Sequence, residues 1–242
     1  MKSVHSSMLN NSEAIIAHMQ SVANKDRLAG AKHFGINNQT ALGISLPVLR
    51  ALAKSIGKHH VLALELWKTN IHEARILASM IDVPAEVTAE QINEWTADFQ
   101  SWDVCDQVCS NLFDKTPFAV DKAIEFSSAK AAYVKRAGFV LMAAYAVHNK
   151  KAADDIFIRF LDVIIHEEDD NRNFVKKAIN WALRQIGKRN IYLHTKAIQV
   201  ANNMKNMQSP AARWIAADAL RELQNEKIIA KIKAKAISKH LV

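Results

Sequence analysis

The chain has 242 residues, half of them apolar, which suffices for a sizeable core in one large domain or two small ones. Six glycines and four prolines fall far below the usual share of roughly 12%, which argues against many short strands with tight turns and for long helices. A formal net charge of +8 and a pI near 9.5 favour polyanionic partners, because phosphates release counterions when Lys and Arg engage them.

Helical periodicity runs from end to end. It predicts helices over 12–32, 46–56, 58–68, 73–82, 88–99, 102–113, 117–127, 131–148, 152–166, 171–188, 190–206, 208–223 and 225–240. The separators are short: 35–43, Pro84, Ser101, Pro117, the acidic run 167–170 and Pro210. The opening residues, Lys2 followed by His, Ser, Asn and Glu, make a poor signal peptide. The longest apolar stretch, 137–147, is too short to span a bilayer. His59 and His60 read as a solvated pair. The ten histidines show no ligand spacing, so metal catalysis is not expected.

The predicted helix at 102–113 turns Val104, Cys105, Val108, Cys109 and Leu112 toward the core. Cys105 and Cys109 lack any metal or redox spacing and read as reduced core thiols, which suits a cytoplasmic protein. Trp102 borders the apolar face, and Asp106 lies four residues on, along the same side. Ser101 is placed to cap the helix, and Asp103 in the first turn complements its dipole, so Asp103 is assigned a structural role. Asp106 lies past that turn. It is either a functional carboxylate or one partner of a salt bridge.

Arg136 opens the most apolar predicted helix, in line with Val140, Ala143 and Val147. A helix apolar all round is central in its bundle. An arginine at its mouth must therefore meet an acid such as Asp106, a carbonyl, or an anion from outside. In the helix at 171–188, Val175, Ala178, Ile179, Ala182, Leu183 and Ile186 form the apolar face at about 100° per residue. Trp181 lies off that face, among Lys177, Arg184 and Lys188, with Phe174 one and a half to two turns back. Such a set either meets phosphates and stacks on a nucleotide or packs on a neighbouring helix under a basic rim.

Three similar helix openings suggest an internal repeat. Lys135-Arg136-Ala137 is followed by Lys176-Lys177-Ala178 at 41 residues and by Ala212-Arg213-Trp214 at 36 more. A period of this size with two helices per unit marks HEAT-like arrays, which stack into solenoids with a concave face. An irregular helical bundle is the alternative. The terminal helix sets Lys227, Lys231, Lys233, Lys235 and Lys239 against Ile228, Ile229, Ile232 and Ile237. It reads as a capping helix, with a membrane-surface or partner-binding helix as the rival.

The succession Trp102-Asp103-Val104-Cys105-Asp106, Tyr133-Val134-Lys135-Arg136-Ala137 and Phe174 through Arg184 resembles the bacterial DNA alkylation repair glycosylases of the AlkD type. Phe34-Gly35 and the stretch Gly43 to Arg50 are similar to that family's N-terminal part, so the resemblance covers most of the chain. Ser101 departs from it, where some members carry a second aromatic residue.

The resemblance implies an all-α, right-handed HEAT-like solenoid with a concave basic groove, one domain over 1–242 acting as a monomer. It implies cofactor-free release of cationic alkylated bases, such as N3-methyladenine and N7-methylguanine, from duplex DNA. Trp102, Asp106, Arg136 and Trp181 would be the catalytic residues, with Phe174, Lys177, Arg184 and Lys188 as further DNA contacts. A HEAT-type scaffold that binds DNA or protein without chemistry is the rival reading.

Overall fold

A computed structural model describes residues 11–28 and 39–240, with side chains to residue 235; Phe34 and Gly35 of the resemblance, residues 29–32 of the first predicted helix, and the side chains of Ile237 and Lys239 lie outside the described residues. All regular structure among the described residues is helical. The chain forms two compact units, Met1–Pro117 and Phe118–Val242.

In the first unit, α1 (Ser12–Ser21) is capped by Asn11, whose side chain accepts from the Ala14 amide at 2.8 Å. The predicted helix 12–32 breaks after Ser21. Asn24 is the cause: its amide donates to the Leu42 carbonyl at 2.8 Å. Its side chain accepts from the Asp26 and Arg27 amides at 3.1 and 3.3 Å and starts a new helical turn at 25–28. Short amide side chains compete for backbone groups in this way.

The helices α2 (Leu46–Ile56), α3 (His60–Lys68), α4 (His72–Ile81), α5 (Ala89–Ala97) and α6 (Trp102–Asn111) follow, and a 3₁₀ turn spans Phe113–Lys115. Helix α4 is the hub, packing on α2, α3 and α6. Trp67 and Trp95 stack with ring centroids 4.0 Å apart and 3° between planes, joining α3 to α5. His59 is exposed as expected, but His60 is half-buried, and both rings have protein partners. His59 Nδ1 accepts from the Leu62 amide at 3.2 Å and caps α3, while His60 Nδ1 donates to the buried Asp82 at 2.7 Å. A helix start has orphan amides, and a buried carboxylate needs donors.

The second unit holds α7 (Ala119–Ser127), α8 (Ala132–His148), α9 (Asp154–His166), α10 (Asn173–Gly187), α11 (Ile191–Lys205), α12 (Pro210–Leu223) and α13 (Glu226–His240). They form two layers. In one, α8 packs on α10 and α10 on α12; in the other, α7 packs on α9 and α9 on α11. Helix α13 packs on α11 and α12 and buries Ile232. Helix α8 is buried nearly all round. Its Gly138 permits the approach of α7, since a Cβ there would lie 2.5 Å from the Ser127 nitrogen and 2.8 Å from the Ala123 carbonyl oxygen.

The buried faces fix the repeat register. Val175, Ala178, Ile179, Ala182, Leu183 and Ile186 of α10 correspond to Ala212, Ile215, Ala216, Ala219, Leu220 and Leu223 of α12, all 37 positions on. The expected offset of 36 is therefore one short, and Lys177 corresponds to Trp214 rather than to Arg213.

No helix among the described residues is long and apolar enough to cross a membrane.

Candidate functional site

The candidate residues of the first unit stand at the start of α6. Ser101 occupies the N-cap position with extended backbone, but its side chain makes no capping bond, contrary to expectation. Asp103 in the first turn instead meets His72 of α4, Oδ2 to Nε2 2.7 Å. Burial disfavours the imidazolium, yet the Asp103 hydrogen bond and charge, with Glu73, outweigh it and raise the His72 pKa. Burial likewise disfavours the Asp103 carboxylate, and His72 reverses the balance and lowers its pKa. Asp103 is thus the structural acid of the pair. Its partner His72 gives no local signal in the sequence.

Trp102 and Asp106 are both half-buried, one turn apart along a single side of α6. Cys105 and Cys109 are fully buried and free of disulfides. Burial pushes the Cys109 thiol well up, reinforced by Cys105 and by the charge of Asp106.

In the second unit Arg136 is only 6% exposed. Its Nη1 donates to the Phe174 carbonyl, one of the acceptors that its place on an apolar helix demanded. The Phe174 ring lies 5.8 Å from that of Tyr133. Beside this contact, the buried Lys135 holds Glu167 at 2.7 Å and Asp170 at 3.2 Å. Burial opposes the Lys135 ammonium, but the two carboxylates raise its pKa overall. Arg172 donates to both Asp170 oxygens and to the Lys130 carbonyl. Against the effect of burial, Arg172 and Lys135 hold the Asp170 carboxyl at about 2. Carbonyl, ring and ion pairs together bind the start of α8 to the start of α10.

On α10, Trp181 is half-buried. With the Gln185 amide turned so that its oxygen faces both donors, it accepts from Trp181 Nε1 at 2.9 Å and from Lys188 at 3.3 Å. Arg184 and Lys188 converge on Glu222 of α12, Lys188 at 2.6 Å. Burial disfavours the Glu222 carboxylate, and the two cations outweigh that and lower its pKa. Lys177 is exposed and holds no ion pair among the described residues. Of the four expected DNA contacts, Arg184 and Lys188 therefore already carry a counterion, and Phe174 serves Arg136 through its backbone. Sequence reasoning missed Glu222. The signal was its place four residues after Asp218, on the helix one repeat beyond α10.

Among the described residues no group of three or more His, Cys, Asp or Glu could hold a metal ion. The chemistry on offer is that of a half-buried carboxylate beside an indole, and of a guanidinium and a second indole set among lysines. Such groups stabilise cations and hold phosphates.

Among curated proteins no match is found. Among solved structures, a protein described as one of "a new family of proteins related to the HEAT-like repeat DNA glycosylases with affinity for branched DNA structures" shares the fold. The TM-score is 0.73 at 17% identity, over 88% of this chain and 95% of that one. The architecture is therefore that of the HEAT-like repeat proteins. The family model described as "DNA alkylation repair enzyme" matches residues 15–225, and the chain belongs to that family.

Proposed function

We propose that this protein is a DNA glycosylase that hydrolyses the N-glycosidic bond of bases made cationic by alkylation, such as N3-methyladenine and N7-methylguanine, in duplex DNA. The observation that carries the reading is the placement of Trp102 and Asp106, an indole and a carboxylate both half-buried and one turn apart along a single side of α6.

Alkylation leaves the base positively charged. When the C1′–N bond breaks, its electron pair returns to the base and neutralises that charge, so no general acid is needed. The sugar becomes oxocarbenium-like. A nearby carboxylate stabilises it electrostatically and orients the water that adds to C1′ and gives up a proton. Asp106 fills this role. Beside it, Trp102 offers its ring to the charged nucleotide, a pairing of indole and cation worth about 0.5–2 kcal/mol. In the second unit, Trp181 offers the DNA a further ring and Arg136 a guanidinium for a phosphate.

The test is release of methylated base from an alkylated duplex. Wild type is expected to release it. Asp106→Asn is expected to keep its helical content and its DNA affinity and to lose about 10²-fold or more in rate, as for other pre-organised charge stabilisers. Undiminished release by a folded Asp106→Asn would overturn the assignment.

The affinity for branched DNA structures ascribed to the structural neighbour's family favours a second reading, a DNA-binding protein without chemistry. It predicts tight binding to junction or flap DNA and no base release by wild type.

A further inference from the structure

Trp214 does not sit as the packing tryptophans of this chain do. Trp67 and Trp95 are 4% and 3% exposed, whereas Trp214, on α12, is 39% exposed. Lys176 of α10 places Nζ 5.2 Å from its ring centroid. Lys177 and Arg213 are exposed, and the Arg213 guanidinium donates to the Met207 and Gln208 carbonyls at 3.1 and 2.7 Å.

These three cations differ electrostatically from Lys135, Arg172, Arg184 and Lys188, each of which holds a carboxylate. Among the described residues no ion pair engages Lys176, Lys177 or Arg213. Helices α10 and α12 also begin without an acid in the first turn, so the positive ends of their dipoles add to the same potential. Positive charge left uncompensated beside an exposed indole suits a ligand that brings both an anion and a flat apolar face.

The repeat register gives this corner its place. Lys177 and Trp214 occupy equivalent positions on α10 and α12, 37 residues apart, so the ammonium of one repeat is followed by an aromatic ring in the next.

We propose that Trp214, with Lys176, Lys177 and Arg213, is a binding site for an unpaired nucleotide of a DNA strand. The base stacks on the indole, and the three cations take the flanking phosphates. Lys176 gives up an exposed cation–π contact, a weak one, and gains a phosphate. A fully stacked duplex offers this ring no base face; a single strand, gap or flap does. The site thus extends the recognised DNA beyond an intact duplex, and it rests on the DNA-binding part of the proposed function but not on catalysis.

The test compares the full-length protein with Trp214→Ala and Trp214→Phe by fluorescence anisotropy on oligothymidylate and on a blunt duplex, neither alkylated. Stacking on one aromatic predicts a loss of about tenfold or more for Trp214→Ala on oligothymidylate. Trp214→Phe should retain most of the affinity, and the blunt duplex should change less than twofold. Replacing Lys176, Lys177 and Arg213 together by Gln should flatten the oligothymidylate salt dependence by about 0.7 per cation that meets a phosphate. Wild-type affinity of a folded Trp214→Ala for oligothymidylate, an equal loss on both DNAs, or no binding of oligothymidylate by wild type would overturn the site. None of these measurements involves base excision, so failure of the glycosylase reading and failure of this site are separately visible.

Discussion

His72 Nε2 stands 2.7 Å from Asp103 Oδ2, and this one contact fastens the hub helix α4 to the first turn of the helix that carries Trp102 and Asp106. Both groups are charged in the pair: burial works against each, and each outweighs it for the other. The raised histidine contributes stability that is complete below the ordinary imidazole value of about 6.5 and lost as pH rises through the raised value. The lowered aspartate contributes stability that is complete above the ordinary carboxyl value of about 3.9 and lost as pH falls through the lowered value.

Wild type is therefore expected to be most stable in the mildly acid range between those values. His72→Gln should cost about 1–3 kcal/mol there, the worth of a charge-assisted buried hydrogen bond, and should flatten the decline on the alkaline side. Urea unfolding across pH reads this. The same alkaline decline in His72→Gln as in wild type would remove His72 as its cause.

Glu73, the next residue, holds a different part of the first unit. Its carboxylate accepts from the Leu42, Gly43 and Ile44 amides at 2.8, 2.7 and 3.2 Å. Gly43 supports that arrangement with φ of 74°, and a Cβ there would lie 2.1 Å from the Asn24 carbonyl oxygen. Glu73→Gln retains the size but puts an NH₂ group against amide donors. It should cost about 2–3 kcal/mol, since a buried group loses its partners. Amide hydrogen exchange is the sharper measurement: residues 42–44 should lose protection while the Trp67–Trp95 region keeps it. Unchanged protection at 42–44 would show that the loop is held by other contacts.

Much of this molecule can be read from its sequence, for physical reasons. The helices after residue 45 follow from apolar period 3.6, and Leu46–Ile56 coincides with the predicted 46–56. The first helix does not follow, because Asn24 prefers its own local hydrogen bonds to helix continuation. The repeat offset came out one residue short because similar basic triplets were aligned, whereas the register is set by the buried faces of α10 and α12. That Arg136 needs an acceptor follows from the apolar helix around it. One acceptor is the Phe174 carbonyl, and a backbone acceptor has no sequence signature. His60 and Glu222 went unread for a related reason: their partners Asp82, Arg184 and Lys188 lie 22 to 38 residues away, and only the packed helices bring them within reach.

Glu222 sets the last expectation, because it competes with DNA for two of the expected phosphate contacts. Arg184 and Lys188 both lie on its carboxylate. A phosphate that reached them would have to displace an anion already in place, so the net gain in wild type is small. Glu222→Gln keeps the side-chain volume and removes that competitor. It should lower stability by about 1 kcal/mol, the scale of a partly exposed pair. It should also raise affinity for duplex DNA and steepen the salt dependence by about 0.9 for each cation that turns to a phosphate. Plots of log affinity against log salt for the two proteins measure this directly. A parallel pair of lines would mean that Arg184 and Lys188 serve only to join α10 to α12, leaving Lys177 as the cation of that face available to phosphate.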